Sequence, residues 1–407
     1  MKALIRISGL VILMTLAFSC SDAVHSAEAG SKTQPEKPIY LRLAKSEMRR
    51  TPDPRLIDFR ETPKWEYTNG LLCLSMFKAW QETGDQALLT YAKSYADSMI
   101  TDSGEILTYD IEDYNIDRIN SGKLLFALNQ VSPNPKYIKA IELLRTQMKN
   151  HPKTSEGGFW HKKRYPYQMW LDGLYMGSPF LAQYALEMNE PELFETVFLQ
   201  VSLMNDHHYN EEKKLFYHGW DESKEQKWSN PETGVSPHFW GRAIGWFAMA
   251  LVDMLDYFPE DHEARPQIIS VINKVAEGLI IYQDDETGVW WQILDMGGQK
   301  DNYLEASCSS MFSYFLIKSI NKGYLNADYT SAAKSAFEGV NKQFIKTNTD
   351  GSVSLTQNCG VAGLGGDPYR DGSYEYYVGE IIRDNDPKGV GPFIMAAIEY
   401  EKLVSNP

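Results

Sequence analysis

Leu171-Asp172-Gly173-Leu174-Tyr175-Met176-Gly177-Ser178-Pro179-Phe180, continuing through Leu181, Tyr184, Ala185 and Met188, has a polar, glycine-marked head followed by an apolar run of helical period. The same head recurs at Asn69-Gly70, Asn120-Ser121-Gly122, Arg242-Ala243-Ile244-Gly245, Glu305-Ala306-Ser307 and Gly389-Val390-Gly391. The helices so opened, among them Leu71–Trp80, Leu124–Leu128, Trp246–Leu255 and Ser310–Ile320, are apolar on most sides and should be buried. After five of them the chain enters a more amphipathic helix: Ala87–Ile100, Lys136–Met148, Glu192–Met204, Gln267–Tyr282 and Ser331–Phe344. The sixth inner helix runs to the chain end, so Ile39–Arg50 is the candidate outer partner that closes the ring. A repeated helical pair that cannot bury its apolar face alone must stack on its neighbours. Six inner and six outer helices make an all-α (α/α)6 barrel, a six-hairpin toroid. Gly288–Leu294 and Gly351–Leu355 should be short β-hairpin decorations. An open α-solenoid would have evener repeats and capped ends. Here the heads lie about 50 to 85 residues apart, with the excess in loops, and long loops of this kind are usually functional.

The first residues carry Lys2 and Arg6 and then an uncharged apolar run from Ile7 to Phe18, which reads as a secretory signal over residues 1–20. Ala27-Glu28-Ala29 has the form of an ordinary cleavage site. Leu16-Ala17-Phe18-Ser19-Cys20 directly follows the apolar run and resembles a bacterial lipobox, which implies a lipid anchor on Cys20. The expectation is an exported protein, periplasmic or membrane-anchored, with a polar tether over residues 21–38 and one catalytic domain over 39–407. Cys73, Cys308 and Cys359 are too widely spaced for a disulfide framework or a zinc finger and read as buried thiols. A net charge of −14 argues against nucleic acid as a partner. Ten Trp and 24 Tyr suit stacking on sugar faces, although a large core would also account for them.

If the inner helices all begin at one rim, their heads and preceding loops converge on one cleft. That brings together Asp117, His161, Lys162, Asp172, His218, Trp240, Arg242 and Trp246. Each has a structural alternative: Asp117 as a helix cap, Asp172 as an N-terminal carboxylate favoured by the macrodipole, Trp240 and Trp246 as core. Their joint placement favours a site. A carboxylate such as Asp172 beside an apolar surface is expected to have a raised pKa, which suits a general acid. A guanidinium such as Arg242 can grip a carboxylate in two-pronged fashion, which hints at an acidic sugar. No HExxH motif appears and His207-His208 is merely adjacent, so no metal site or cofactor is expected.

Glu156-Gly157-Gly158-Phe159-Trp160-His161-Lys162, Trp170-Leu171-Asp172-Gly173-Leu174-Tyr175-Met176, Phe239-Trp240-Gly241-Arg242-Ala243-Ile244-Gly245-Trp246 and Arg370-Asp371-Gly372-Ser373-Tyr374-Glu375-Tyr376-Tyr377 resemble the motifs of the unsaturated rhamnogalacturonyl hydrolases, glycoside hydrolase family 105. The resemblance covers nearly everything from Trp65 onward. It implies an (α/α)6 barrel that removes a 4,5-unsaturated uronic acid from the non-reducing end of lyase-generated oligosaccharides. It also implies that Asp172 is the general acid/base and Asp117 the second active-site carboxylate. His161, Lys162, His218, Trp240, Arg242 and Trp246 would line the sugar site. An unsaturated glucuronyl hydrolase on glycosaminoglycan, ulvan or arabinogalactan fragments is the nearest alternative; a non-catalytic carbohydrate-binding lipoprotein is the alternative from another class. The oligomeric state is left open by the sequence.

Overall fold

The computed structural model describes residues 37–405. The signal, the Cys20 anchor and most of the tether read from the sequence therefore lie outside the described residues. Among the described residues, twelve long helices alternate in two layers. The inner ones are α2 (Tyr67–Thr83), α4 (Gly122–Val131), α6 (Leu171–Glu187), α8 (Gly241–Met254), α10 (Ala306–Asn321) and α13 (Pro387–Ser405). They pack in the order α2–α4–α6–α8–α10–α13 and back to α2, so the ring is closed. Each is backed by an outer helix: α3 (Gln86–Met99), α5 (Pro135–Asn150), α7 (Leu193–His208), α9 (Ala264–Ile281) and α11 (Thr330–Phe344) follow their inner partners. α1 (Ile39–Arg50) packs on α13 and completes the sixth hairpin. The fold is the (α/α)6 barrel expected from the repeats.

Local chemistry sets the helix heads. Asp85 and Asn134 cap α3 and α5 by accepting from Ala87 N and Lys136 N, and Glu305 caps α10 through Ser307 N and Cys308 N. The glycines of the heads answer to the seams of the ring. A Cβ on Gly70 would fall 2.3 Å from Ser121 Oγ, and one on Gly391 2.9 Å from Leu71 Cγ. Both positions admit glycine because the neighbouring helix lies against them. Buried thiols were expected, and Cys73, Cys308 and Cys359 are all buried and free.

Two details depart from the sequence reading. Val353–Leu355 pairs with Ile345–Thr347 as a hairpin, but Gly288–Leu294 forms only isolated bridges, Trp291 with Leu304 and Trp240 with Ile293. Its backbone groups are drawn instead to the heads of α8 and α10, where Gly241 N donates to Gln292 O and Glu305 N to Trp290 O. A further short helix, α12 (Tyr374–Val378), was not foreseen; Ser373 caps it at Tyr376 N.

Candidate active site

The loops ahead of successive inner helices are stitched together by main-chain hydrogen bonds. Ile116 N donates to His161 O, His161 N to Gln168 O, and Leu171 N to His218 O. Gln168–Trp170 and Gly219–Asp221 pair antiparallel, with Trp170 opposite Gly219, and this register sets His218 beside the head of α6. Asp117 lies in a 3-10 turn, Ile116–Ile119, capped by Asn115. It is not a cap of α4. The result is a cleft of about 720 Å³ at the mouth formed by the inner-helix heads, lined among others by Asp117, His161, Lys162 and Asp172.

The two carboxylates are held very differently. Asp117 Oδ2 sits 2.6 Å from Lys162 Nζ, and its Oδ1 3.4 Å from His161 Nε2. Burial pushes the Asp117 carboxyl up, but Lys162 and then His161 outweigh it, so it lies below the usual carboxylate range. Asp172 has no such clamp. Its Oδ2 is 3.3 Å from His218 Nε2, yet the two atoms are not aligned for hydrogen bonding and, among the described residues, neither has another partner. Asp172 is 14% exposed, at the cleft wall.

Both imidazoles are fixed from behind. His218 Nδ1 lies 2.7 Å from Tyr377 Oη, and the ring is wedged against Trp240. His161 stacks on Trp170 with centroids 4.3 Å apart, and Trp170 stacks in turn on Tyr165. Burial pulls His161 down to about 4, so its ring is neutral near pH 7. Gly173 leaves room for this ring, since a Cβ there would stand 3.3 Å from its Nδ1.

Three of the expected residues lie behind the cleft wall. Arg242 is 1% exposed; its guanidinium stacks over Trp240 and donates to the main-chain oxygens of Cys359 and Gly360 and to Ser307 Oγ. Those acceptors occupy the donors that a two-pronged grip on a sugar carboxylate would need, which corrects the expectation for this residue. Trp240 is buried with its Nε1 on Gln292 Oε1, and Trp246 is buried against Tyr175 and Tyr67. His218 too is fully buried and reaches the cleft only through Asp172.

Other residues take the lining positions. Nine Lys and Arg side chains line the cleft against six Asp and Glu, in a chain whose net charge is −14. Part of this set, Asp58, Arg60, Lys64 and Glu66, precedes the first inner helix and was missed by sequence reasoning. The rule that found Asp117 and His161, inspection of the loop before each inner-helix head, would have found these as well. Arg164 lines the cleft with its guanidinium 4.9 Å from the Tyr165 ring and, among the described residues, has no carboxylate within 4.0 Å.

Fold and cleft thus define a class: a closed helical barrel with two unlike carboxylates in a cation-rich mouth. Residues 40–404 match the model of Glycosyl Hydrolase Family 88, and the chain belongs to this family of glycosidases, which includes the unsaturated uronyl hydrolases. It is 39% identical to Protein Atu3128 of Agrobacterium fabrum over 234 residues, 55% of this chain and 97% of that one. It is 25% identical to the unsaturated rhamnogalacturonyl hydrolase YesR of Bacillus subtilis over 278 residues, covering 67% of this chain and 75% of that one. A solved family 105 glycoside hydrolase from C. acetobutylicum superposes with a TM-score of 0.87 at 41% identity, covering 90% of this chain and all of the other. The unsaturated glucuronyl hydrolase of Bacillus sp. GL1, at 14% identity and a TM-score of 0.66 over 90% of this chain and 96% of that one, shares the fold.

Proposed function

We propose that this glycosidase removes a 4,5-unsaturated uronic acid, with unsaturated galacturonic acid the favoured sugar, from the non-reducing end of oligosaccharides such as rhamnogalacturonan fragments. The observation that carries the reading is the contrast between the carboxylates. Asp117 is locked as an anion by Lys162, whereas Asp172 faces the cleft and, among the described residues, has no Lys or Arg partner and no hydrogen bond on its Oδ2. A proton donor and a fixed counter-charge are what protonation of an electron-rich double bond requires. The surplus of cleft cations suits a substrate that carries a carboxylate. With Arg242 committed to carbonyl oxygens, we assign the holding of that carboxylate to cations in the cleft itself, Arg164 and Lys162 foremost. The likeness to YesR supports the rhamnogalacturonyl part of the proposal.

In this mechanism Asp172 gives its proton to C4 of the C4=C5 enol ether, and the positive charge develops at C5 and O5. The Asp172 carboxylate then takes a proton from water as the water oxygen bonds to C5. The C5–O5 bond of the hemiketal opens to a ketone and leaves C1 bearing a hydroxyl and the linking oxygen. That hemiacetal collapses to an aldehyde and expels the remaining saccharide. One water is consumed and Asp172 ends protonated, ready for another turnover. His218, braced by Tyr377, orients Asp172 from behind.

The test is turnover of a lyase-generated unsaturated disaccharide in heavy water, followed as loss of the double bond's ultraviolet absorbance. Deuterium is expected at C4 of the released keto sugar, and ¹⁸O from labelled water at C5. Cleavage of a saturated galacturonide at a comparable rate, or label found at C1 alone, would overturn the mechanism.

A further inference from the structure

A second hollow, about 600 Å³, adjoins the cleft and shares Asp58 and Arg60 with it as lining. Between these two residues stands Phe59, which is 60% exposed. The backbone there is unusual, because Asp58 and Phe59 both adopt left-handed conformations, φ 74° and 58°. Consecutive non-glycine residues in that region are strained, and such strain persists only where the surroundings enforce it. Asp58 supplies the enforcement. Its carboxylate accepts from Arg383 at 2.8 Å, Lys388 at 3.3 Å and Arg60 at 3.4 Å. Arg383, itself a cleft residue, lies 4.3 Å from the Phe59 ring centroid. The network turns a large apolar ring out to solvent and braces it, where burial would be the ordinary outcome for such a side chain.

We infer that Phe59 is a stacking platform for the leaving saccharide, at least two rings beyond the cleaved bond, and that the adjoining hollow is the distal part of the substrate site. The inference rests on the proposed function. An exposed aromatic face packs on the C–H face of a pyranose ring, and a contact held rigid in advance loses little freedom on binding. The cleft receives the unsaturated ring at Asp172; the chain then passes over the Asp58–Arg60 ridge, where the ring of Phe59 meets it.

The experiment compares kcat/KM for unsaturated di- and tetrasaccharides in the wild type, Phe59→Ala, Phe59→Gly and Phe59→Trp. The wild type should favour the tetrasaccharide by about two- to tenfold, the size of a single stacking contact. Phe59→Ala and Phe59→Gly should abolish that preference and leave the disaccharide within about twofold. Phe59→Trp should retain it. Glycine relieves the left-handed strain, so Phe59→Gly should raise the melting temperature while losing the preference, a split that a purely structural role would not produce. Equal rates on both lengths in the wild type, or equal losses on both lengths in the variants, would overturn the platform and leave the hydrolase reading intact. Failure of the wild type to cleave either length overturns the hydrolase reading, and the platform with it.

Discussion

Asp172 and Tyr377 lie on opposite sides of one imidazole, His218, and substitution should separate their parts. Asp172→Asn keeps the shape and removes the transferable proton. Turnover should fall at least about 10²- to 10⁴-fold with the melting temperature unchanged, and residual activity above a tenth of wild type would refute the assignment. Tyr377→Phe removes the 2.7 Å contact to His218 Nδ1 and leaves the ring stack in place. One hydrogen bond is worth about 0.5–1.5 kcal/mol, so kcat should fall by a few- to tenfold with KM nearly constant and the pH profile displaced. A rise in KM alone would mean that Tyr377 touches the substrate instead. Arg242 illustrates the limit of sequence at this scale. A guanidinium in a motif reads as a ligand for carboxylate, and nothing in the string shows that main-chain oxygens already occupy it. Arg242→Lys should therefore cost about 1–3 kcal/mol of stability in a denaturant titration, through the acceptors it strands, and leave KM for the uronide within about twofold. A large rise in KM with stability intact would return Arg242 to the binding role first read for it.

The helix heads were the most legible elements, because polar heads and glycine seams sit at fixed places on apolar helices. The head at Glu305-Ala306-Ser307 is an example: α10 begins at Ala306, with Glu305 as its cap. What the string did not show is that the same carboxylate reaches across to Cys359 N at 2.8 Å, which ties α10 to the segment that Arg242 holds. Long-range pairing of this kind leaves no local pattern. Glu305→Ala should strand Ser307 N, Cys308 N and Cys359 N together and destabilise the protein by at least about 2 kcal/mol. A loss no larger than that of an exposed cap would show that this segment is held by other contacts. The 3-10 turn around Asp117 and the short helix α12 were illegible for a related reason. Both are single turns, too short for an apolar period to register.

For the molecule as a whole, buried histidines set the response to acid. Burial pulls His151 and His161 down to about 4 and His208 to about 3. In the unfolded chain they titrate near 6.5. Above pH 6.5 both states hold these rings neutral and stability is full. Between about pH 6.5 and 4 the unfolded chain takes up protons that the folded one refuses, so stability falls as pH falls. Glu47 and Glu401, pushed up by burial, work in the opposite direction, while His238, pulled down by burial, adds to the effect of the three rings. The urea midpoint should drop clearly from pH 7 to pH 5, with a proton uptake on unfolding of about two to three near pH 5. A midpoint that stays flat across that range would show that the three rings charge within the fold.

α1 and α13 come from opposite ends of the described chain, and their hairpin is the only one of the six in the barrel whose two helices are not consecutive in sequence. α1 is also tied to the strand Val353–Leu355, where Val353 N donates to Ser46 Oγ and Arg50 to Val353 O, across more than 300 residues. Time therefore enters the architecture. On the ribosome, the five consecutive hairpins can assemble in the order in which they emerge, while α1 has no hairpin mate until α13 has been synthesised. Closure waits for α13, and a chain stopped short of Pro387 would leave α1 without its partner.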